Sequence, residues 1–427
     1  MPSTETQNRT ESQGRAPVSG AATKHVLLLA YYYLPDHTSG VQRAVRLAKY
    51  LPACGYRVHV VGSSHAGVCT DSNTRSVPDE GTAKDRAARL SRVCETFQRR
   101  VLPYNEALPW MPHAASAAAE VIAKYPISAV ISTSPPLVCH LTAAWLKLRY
   151  RIPWVADFRD PLSDNPFRSR TWARPYDRIL ERWMFASADA IIGVTDSVAA
   201  TWRKRYPRWA RKFHVVWNGY DPEEQIPFAA AQARHCRRLA HIGNLYGARR
   251  PAAVFSSLSR LLHSGILAAD ALKIQLVGEV QESALPSGDE AVRKLRECGI
   301  LEELGVVSRQ DALRMTAEAD YLLLVDTNAR DLGYTVPAKL FEYIRAGRPI
   351  LAITAQGSPV EQILEKAGIP NLVIHPQDNH QLVDVRLAEF LSQPSRAHTP
   401  NAWFLERFDG KRQAGQIAAI CGQVTAG

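Results

Sequence analysis

The segment GYTVPAKLFEYIRAGRPI, residues 333–350, predicts a helix that leads into a buried strand. Thr335 is a suitable N-cap, and Pro337 fits the first helical turn, where its missing N–H has no helical partner to lose. Gly347 favours the end of the helix. Apolar residues recur at helical spacing, so one face should be buried. A helix followed closely by an apolar strand is the repeating unit of a parallel α/β sheet.

Lys339 and Glu342 lie three residues apart on this helix and therefore share a face other than the apolar one. A lysine in the first turn opposes the helix dipole unless an anion is bound there, because the free N–H groups and the ammonium then act together. The segment thus indicates an anion site at the start of the helix. The alternative is a solvated ion pair between the two side chains on an ordinary helix.

The same alternation of short apolar runs and amphipathic stretches extends through the chain in both directions. It predicts parallel sheets covered by helices on both faces, so the expected fold class is α/β. A chain of 427 residues is too long for one ordinary core, which predicts two domains. The predicted strands are 25–30, 57–61, 129–132, 154–156, 190–194 and 214–216, then 238–242, 273–277, 321–325, 349–353 and 372–374.

A linker between the two domains is predicted at residues 219–237, where glycine and proline interrupt any helix. Residues 24–218 should form a first Rossmann-like domain, and residues 238–400 a second. Residues 401–427 should end in a helix that packs back on the first domain. Residues 1–23 are polar and predict a disordered tail.

Polar or glycine-bearing segments follow several predicted strands, at the edge where open α/β sheets bind ligands. In the first half these include the turn at Gly40, the segment Asp157–Pro161, and a turn that precedes His140. In the second half Gly243 and Arg249 follow a strand. Two sheets with these edges facing each other would form one cleft. Ordinary alternatives are a turn glycine, a hydrogen-bonded helix histidine, local ion pairs and a surface arginine.

The composition is that of a globular protein, with 46% hydrophobic and 22% charged residues and no apolar run long enough to span a membrane. The N-terminus lacks the apolar core of a signal peptide. The seven cysteines are scattered and form no Cys-x-x-Cys pair, so neither a disulfide framework nor a zinc site is indicated. These features predict a reducing, cytoplasmic setting.

The net charge of +11 indicates either an anionic partner (a membrane surface, a phosphorylated substrate or nucleic acid) or only a highly charged, soluble surface. Two basic regions that contain aromatic residues, 86–100 and 202–209, suit the surface of an anionic bilayer. No nucleic-acid recognition motif accompanies them, so no nucleic-acid partner is expected. Solvated helix faces are the alternative explanation for both regions.

The segment 333–350 resembles the donor-binding signature of family 4 glycosyltransferases, which have the GT-B fold, in the branch with an N-terminal glycosyltransferase 4-like domain. Similar segments occur in the family's order over nearly the whole chain outside the tail; they are 33–43, 134–140, 153–161, 218–221 and 243–251. One position departs from the signature. Tyr334 stands where many members carry a first glutamate, eight residues before Glu342.

The resemblance implies transfer of a sugar from a nucleotide-diphosphate sugar to an acceptor hydroxyl, with retention at the anomeric carbon, in polysaccharide or lipid-linked glycan assembly. Arg249 and Lys339 would neutralise the leaving diphosphate, and Glu342 would bind the nucleotide ribose. Gly40 and Gly243 would let the backbone approach the donor.

On the acceptor side the resemblance places Gly40, His140 and Asp157, and the latter two are further catalytic candidates. The Asp-x-Asp element of metal-dependent sugar transfer is not evident, so no metal or cofactor is expected besides the nucleotide sugar. Two alternatives remain open. A nucleotide-sugar epimerase of the same fold would use the donor alone, and a non-catalytic sugar-nucleotide- or glycan-binding protein is suggested by Tyr334.

Overall fold

A computed structural model describes residues 23–34, 40–64, 74–78, 107–163, 165, 174–227, 235–247, 249–326 and 336–426, of which 64 and 74–78 are described by their backbone alone. These residues form two parallel sheets, one in each half of the chain. Helices cover both faces of each sheet, because the clusters of buried side chains lie on both sides of it. The α/β fold expected from the alternating pattern is confirmed.

The first sheet has seven strands in the order β3-β2-β1-β4-β5-β6-β7. Its strands are β1 (Lys24–Tyr32), β2 (Tyr56–Ser64), β3 (Thr74–Pro78), β4 (Ile127–Ser134), β5 (Trp154–Phe158), β6 (Ala190–Gly193) and β7 (Phe213–Val215). Its helices are α1 (Val41–Tyr50), α2 (Trp110–Lys124), α3 (Val138–Tyr150), α4 (Arg174–Ser187) and α5 (Asp196–Arg205), with short 3₁₀ helices at Leu51–Cys54 and Pro207–Lys212.

The second sheet has six strands in the order β10-β9-β8-β11-β12-β13. Its strands are β8 (Arg237–Ile242), β9 (Leu272–Val277), β10 (Leu301–Gly305), β11 (Tyr321–Val325), β12 (Ile350–Ile353) and β13 (Asn371–Ile374). Its helices are α6 (Ala252–His263), α7 (Glu290–Glu297), α8 (Arg309–Glu318), α9 (Ala338–Ala346), α10 (Pro359–Lys366), α11 (His380–Ser392) and α12 (Ala402–Arg407).

Strand β1 shows why the sequence reads as a continuous apolar run. Leu27 and Leu29 pack with α2, α3, α4 and α5 on one face of the first sheet. Val26 and Leu28 pack with α1 and the C-terminal helix α13 (Gly410–Ala426) on the other. Successive side chains of a strand point to opposite faces, so both sets are apolar when both faces are covered.

The chain crosses between the domains twice, at Tyr220 and again near Phe408. The two crossings lie side by side, since Tyr220 N donates to Phe408 O at 3.1 Å and Gly410 N donates to Tyr220 O at 3.0 Å. At Gly219 an added Cβ would lie 2.1 Å from Phe408 O, so only glycine fits here. After the second crossing, α13 packs on the first domain.

A search of the described helices for a membrane span finds none with the required length and hydropathy.

Candidate functional site

The candidate site lies where α9 begins in the second domain. Pro337 precedes the helix and makes no side-chain cap, so the N–H groups of the first turn point outward without a side-chain acceptor at that position. The predicted cap Thr335, like Tyr334, lies outside the described residues. Lys339 stands in this first turn, at the carboxyl end of β8, as the sequence predicts.

The ammonium of Lys339 contacts His241, a buried residue of β8. Lys339 Nζ lies 2.9 Å from His241 Nε2, while His241 Nδ1 lies 2.8 Å from the carbonyl of Leu323. Since the Leu323 carbonyl can only accept, Nδ1 carries the hydrogen and donates to it, which leaves Nε2 as the acceptor for Lys339. Burial, then Lys339 itself, keep the pKa of His241 well below its usual value, so the ring is neutral.

Lys339 is poised between its charged and neutral forms. Burial and, after it, the positive charge of Arg249 lower its pKa to about 7, although Glu342 opposes both. An ammonium with this pKa is stabilised when an anion arrives, because the anion replaces the solvation lost on burial. The site therefore has the electrostatic character of an anion-binding site.

Arg249 lies beside Lys339 in the loop after β8. Its guanidinium donates to Tyr246 Oη at 2.9 Å and stacks over the Tyr246 ring, with 4.8 Å between the guanidinium carbon and the ring centroid. Only 9% of the residue is exposed, so its charge is largely shielded from bulk water. Arg249 and Lys339 together supply two cationic groups at one strand end, which matches the two charges of a diphosphate.

Gly243 allows this arrangement. Its φ is +109°, which disfavours residues with a Cβ, and an added Cβ would lie 2.9 Å from Lys339 Nζ and 3.2 Å from Lys339 Cε. The glycine between His241 and the loop thus leaves room for the lysine to cross the strand end. Gly243 therefore lies beside Lys339, the residue with which the sequence analysis grouped it as a donor-binding candidate.

Glu342 lies one turn further along α9 and is held by Arg309 of α8. Arg309 Nη2 donates to Glu342 Oε1 at 2.7 Å and also to Glu224 Oε2 at 2.8 Å. Burial and then Arg43 lower the pKa of Arg46 to about 10, and Glu342 opposes them. Glu342 is therefore within electrostatic range of α1 in the first domain. The carboxylate is fixed at the cleft.

On the first-domain side, Arg159 links the ends of two strands to the start of α1. Its Nε donates to Ser134 O at 3.1 Å, and its Nη1 donates to the carbonyl of Gly40, the residue before α1. An added Cβ at Gly40 would lie 2.9 Å from Arg159 Nη1. Burial raises the pKa of Asp160, while Arg159 and then Arg249 oppose it. Arg249 is therefore within electrostatic range of the first domain across the cleft.

Asp157 does not line the cleft. It is fully buried and accepts two hydrogen bonds from Arg43, at 2.8 and 2.7 Å, and one from Thr133 at 2.9 Å. Arg43 also donates to the carbonyls of Val216 and Trp217, at the start of the first crossing. The expected catalytic and acceptor role of Asp157 is corrected to a positioning role, because its oxygens are used within the protein.

His140, which the resemblance places on the acceptor side, also lies away from the cleft in the structure. It is fully buried in the first-domain core, with its ring 4.2 Å from that of Phe158 and Nδ1 2.7 Å from Ser132 Oγ. Burial lowers its pKa to about 3, although Asp157 opposes this, so the ring is neutral. An acceptor cannot reach it, and its place is in the core beside the sheet.

The basic region 202–209 serves mainly internal contacts. Trp202 is buried in the core, Arg205 donates to Ser163 Oγ at 2.8 Å, and Tyr206 donates to Glu181 at 3.0 Å. Its aromatic residues are therefore not free to enter a bilayer. The other basic region, 86–100, lies outside the described residues.

Within the described parts of the chain, no group of three or more His, Cys, Asp or Glu is placed to hold a metal ion.

Three residues of the site were not predicted. His241 has a local signal, since an isolated histidine inside an apolar strand and two residues before a glycine must find buried partners. Arg309 and Arg43 have no such signal, because their carboxylate partners lie 33 and 114 residues away in the sequence.

The model of the protein family Glycosyltransferase Family 4 matches residues 39–224, which cover most of the first domain. No curated protein sequence matches the chain significantly.

Several solved structures share the two-domain fold. HepE of Anabaena, solved in complex with UDP and glucose, has a TM-score of 0.60 at 14% identity, over 94% of this chain and 100% of HepE. Sucrose-phosphate synthase of Thermosynechococcus elongatus has a TM-score of 0.60 at 13% identity, over 94% and 98%. WaaG, a glycosyltransferase involved in lipopolysaccharide biosynthesis, has a TM-score of 0.55 at 17% identity, over 94% and 98%. Residues 39–224 are thus similar to family 4 glycosyltransferases, and the chain has the two-domain GT-B fold of these solved structures.

Proposed function

We propose that the chain binds a nucleotide-diphosphate sugar in the cleft and transfers the sugar to an acceptor hydroxyl. Arg249 and Lys339 bind the diphosphate, the first-turn N–H groups of α9 add to their field, and Glu342 binds the ribose. The observation that carries the proposal is that Lys339 and Arg249 lie at one strand end, where the positive charge of Arg249 helps to lower the pKa of Lys339. The solved relative HepE holds UDP, which fits a uridine nucleotide as the donor.

The proposed chemistry rests on charge stabilisation. As the bond from the anomeric carbon to the diphosphate breaks, negative charge develops on the diphosphate oxygens. Arg249 and Lys339 then interact more strongly with the transition state than with the bound donor, which lowers the barrier. We propose retention at the anomeric carbon, with departure and attack on one face of the sugar. The buried positions of Asp157 and His140 leave neither of them as a nucleophile.

We propose an acceptor in polysaccharide or lipid-linked glycan assembly, met in the cytoplasm or at the inner face of the membrane. The likeness of fold to WaaG, a glycosyltransferase involved in lipopolysaccharide biosynthesis, supports this class of acceptor. Turnover should need neither metal nor cofactor, because two cations already offset the charge that a divalent metal would neutralise. Complete loss of activity in excess chelator, restored by Mn²⁺, would contradict the metal-independent mechanism.

The direct test is a thermal-shift screen with nucleotide sugars, followed by product analysis of each ligand that binds. A ligand present at 100 times its dissociation constant adds about 2.7 kcal/mol to the stability of the folded state. A stabilising donor whose sugar appears on an acceptor establishes glycosyl transfer. Release of an altered sugar with no acceptor would instead establish an epimerase, and binding without any product would establish a binding protein.

A further inference from the structure

Helix α4 exposes an unusual set of side chains. Its two acidic residues are buried, Asp177 with 2% and Glu181 with 0% of its surface accessible. Glu181 is held inside by Ser163, whose Oγ lies 2.8 Å from Oε1, and by Tyr206. The exposed large apolar residues are Tyr176, Ile179 and Trp183, which recur at helical spacing and so form one stripe. An apolar stripe on the outside of a domain indicates a contact surface.

Helix α3 extends this stripe. It packs with α4 on the same face of the first sheet, and both contribute to one core cluster. On its outer side Trp145 is 40% and Leu148 is 77% exposed. Two neighbouring helices of one layer thus expose large apolar side chains together. We call the exposed faces of α3 and α4 the outer helix surface.

The charged residues of this surface have one sign. Arg174, Arg178 and Arg182 are exposed on α4 at intervals of four residues, and Arg149 is exposed on α3. Helix α3 contains no acidic residue, and both acidic residues of α4 are buried, so all the exposed charges on these two helices are positive. The surface is complementary to a negatively charged partner.

We propose that the outer helix surface docks the protein on an anionic lipid bilayer. Arginines around Trp, Tyr and aliphatic side chains suit the headgroup region, where the charges meet lipid phosphates and the apolar groups enter the acyl boundary. A second copy fits poorly, because a two-fold contact would set four arginines against their own copies. Nucleic acid offers phosphates but no apolar phase for Leu148 and Ile179.

The position of this surface is consistent with a lipid-linked acceptor. Helix α3 starts four residues after Ser134, whose carbonyl accepts hydrogen bonds from Arg159 at the first-domain rim of the cleft. Helix α3 then runs away from that rim, and Trp145 and Leu148 lie in its second half, so docking would place the side of the first domain on the membrane. The inference extends the proposed function to the place where the acceptor is met, but its evidence and its test are separate from those of the donor site.

The test is co-sedimentation of the full chain with vesicles of phosphatidylcholine alone or mixed with phosphatidylglycerol, at low and high salt. The wild type should bind the anionic vesicles and lose binding with salt. Arg178→Glu with Arg182→Glu should weaken binding by at least about thirtyfold, since each removed cation contributes about fivefold near a surface and reversal adds repulsion. Ile179→Ser with Trp183→Ser should also weaken it.

Matched controls come from the second domain, where Val306 and Val385 are exposed apolar residues and Arg293 and Arg314 exposed arginines. Val306→Ser with Val385→Ser, and Arg293→Glu with Arg314→Glu, should bind vesicles like the wild type. Stabilisation by UDP should be unchanged in all four double variants, so failure of the donor site is detected separately.

Equal binding of the wild type to neutral and anionic vesicles would overturn the proposal. So would wild-type vesicle binding by both outer-surface variants while they keep the wild-type melting temperature. A loss of self-association in these variants, without a change in vesicle binding, would show that the surface is an interface between copies. Selective loss of RNA binding would assign it to nucleic acid instead.

Discussion

Binding of a nucleotide-diphosphate sugar should draw a proton onto Lys339 in mildly alkaline solution. In the empty site the pKa of Lys339 is about 7, because burial and Arg249 disfavour its charge. A bound diphosphate favours the ammonium and moves the pKa back toward the ordinary value of 10.5. Above the free-site pKa the protein must take up a proton before the ion pair forms. Donor affinity should therefore fall as the pH rises through about 7.

The size of the effect follows from the two pKa values. One unit above the free-site pKa, about one tenth of the molecules carry the ammonium, so apparent affinity should be about tenfold below its low-pH value. Complete recovery of the ordinary pKa in the complex would be worth at most about 5 kcal/mol. His241 does not contribute to this dependence, because its pKa lies well below its usual value and the ring stays neutral.

Titration calorimetry with a nucleotide sugar, in two buffers of different ionisation enthalpy, measures both affinity and proton uptake. The intact sugar diphosphate is preferable to UDP, whose terminal phosphate titrates near about pH 6. Close to one proton should be taken up per donor at about pH 8, and Lys339→Arg should abolish both the uptake and the pH dependence, because arginine stays charged. Affinity that is constant between about pH 6 and pH 9 would refute the reasoning, as would equal proton uptake in Lys339→Arg.

Gly243→Ala should destabilise the protein by about 1–3 kcal/mol and weaken donor binding at least about tenfold, because the new methyl group displaces Lys339. Gly247→Ala is the control, since Gly247 also has a positive φ but has open space around the added Cβ, and it should leave donor binding unchanged. Titration calorimetry measures the donor affinity of both variants. Asp157→Ala should lower the free energy of unfolding by about 3–5 kcal/mol, because it leaves a buried arginine unpaired; a loss below about 1 kcal/mol in urea unfolding would contradict this. Glu342→Ala should raise the donor KM with little change in kcat. The control Glu224→Ala, which removes the other carboxylate partner of Arg309, should leave KM unchanged. Equal effects of the two substitutions in steady-state kinetics would count against ribose binding by Glu342.

Sequence patterns predict the central strands because burial on both faces requires continuous apolar runs. Strands β3 and β10 were not predicted, and both lie at sheet edges. Residues 301–305 of β10 read LEELG, with two carboxylates and a glycine in place of an apolar run. This segment becomes a strand because β9 offers it a partner, and that partner is set by the tertiary fold.

The site was predictable where its residues lie on one strand end. Arg249 was a candidate because it follows a strand end, where α/β sheets bind ligands, and Lys339 because it stands in the first turn of a helix, where an anion would offset its charge. The same rule failed for Asp157, because a polar residue at a strand end has the same local sequence whether it faces a cleft or a buried arginine. Arg43, its partner, lies 114 residues away. For His140, helical spacing could not distinguish the cleft side from the core side.

The most direct test of the diphosphate site is single-turnover sugar transfer by Arg249→Ala, with its neighbour Arg250 as the matched control. Arg250 is exposed and donates to the carbonyl of Ser283, away from the Lys339 site. Arg249→Ala should slow the chemical step by about 10²–10³-fold at saturating donor, with a smaller loss of donor affinity, because the lost contact strengthens as the diphosphate leaves. Arg250→Ala should transfer sugar at the wild-type rate. Near wild-type turnover by Arg249→Ala would contradict the proposed diphosphate site.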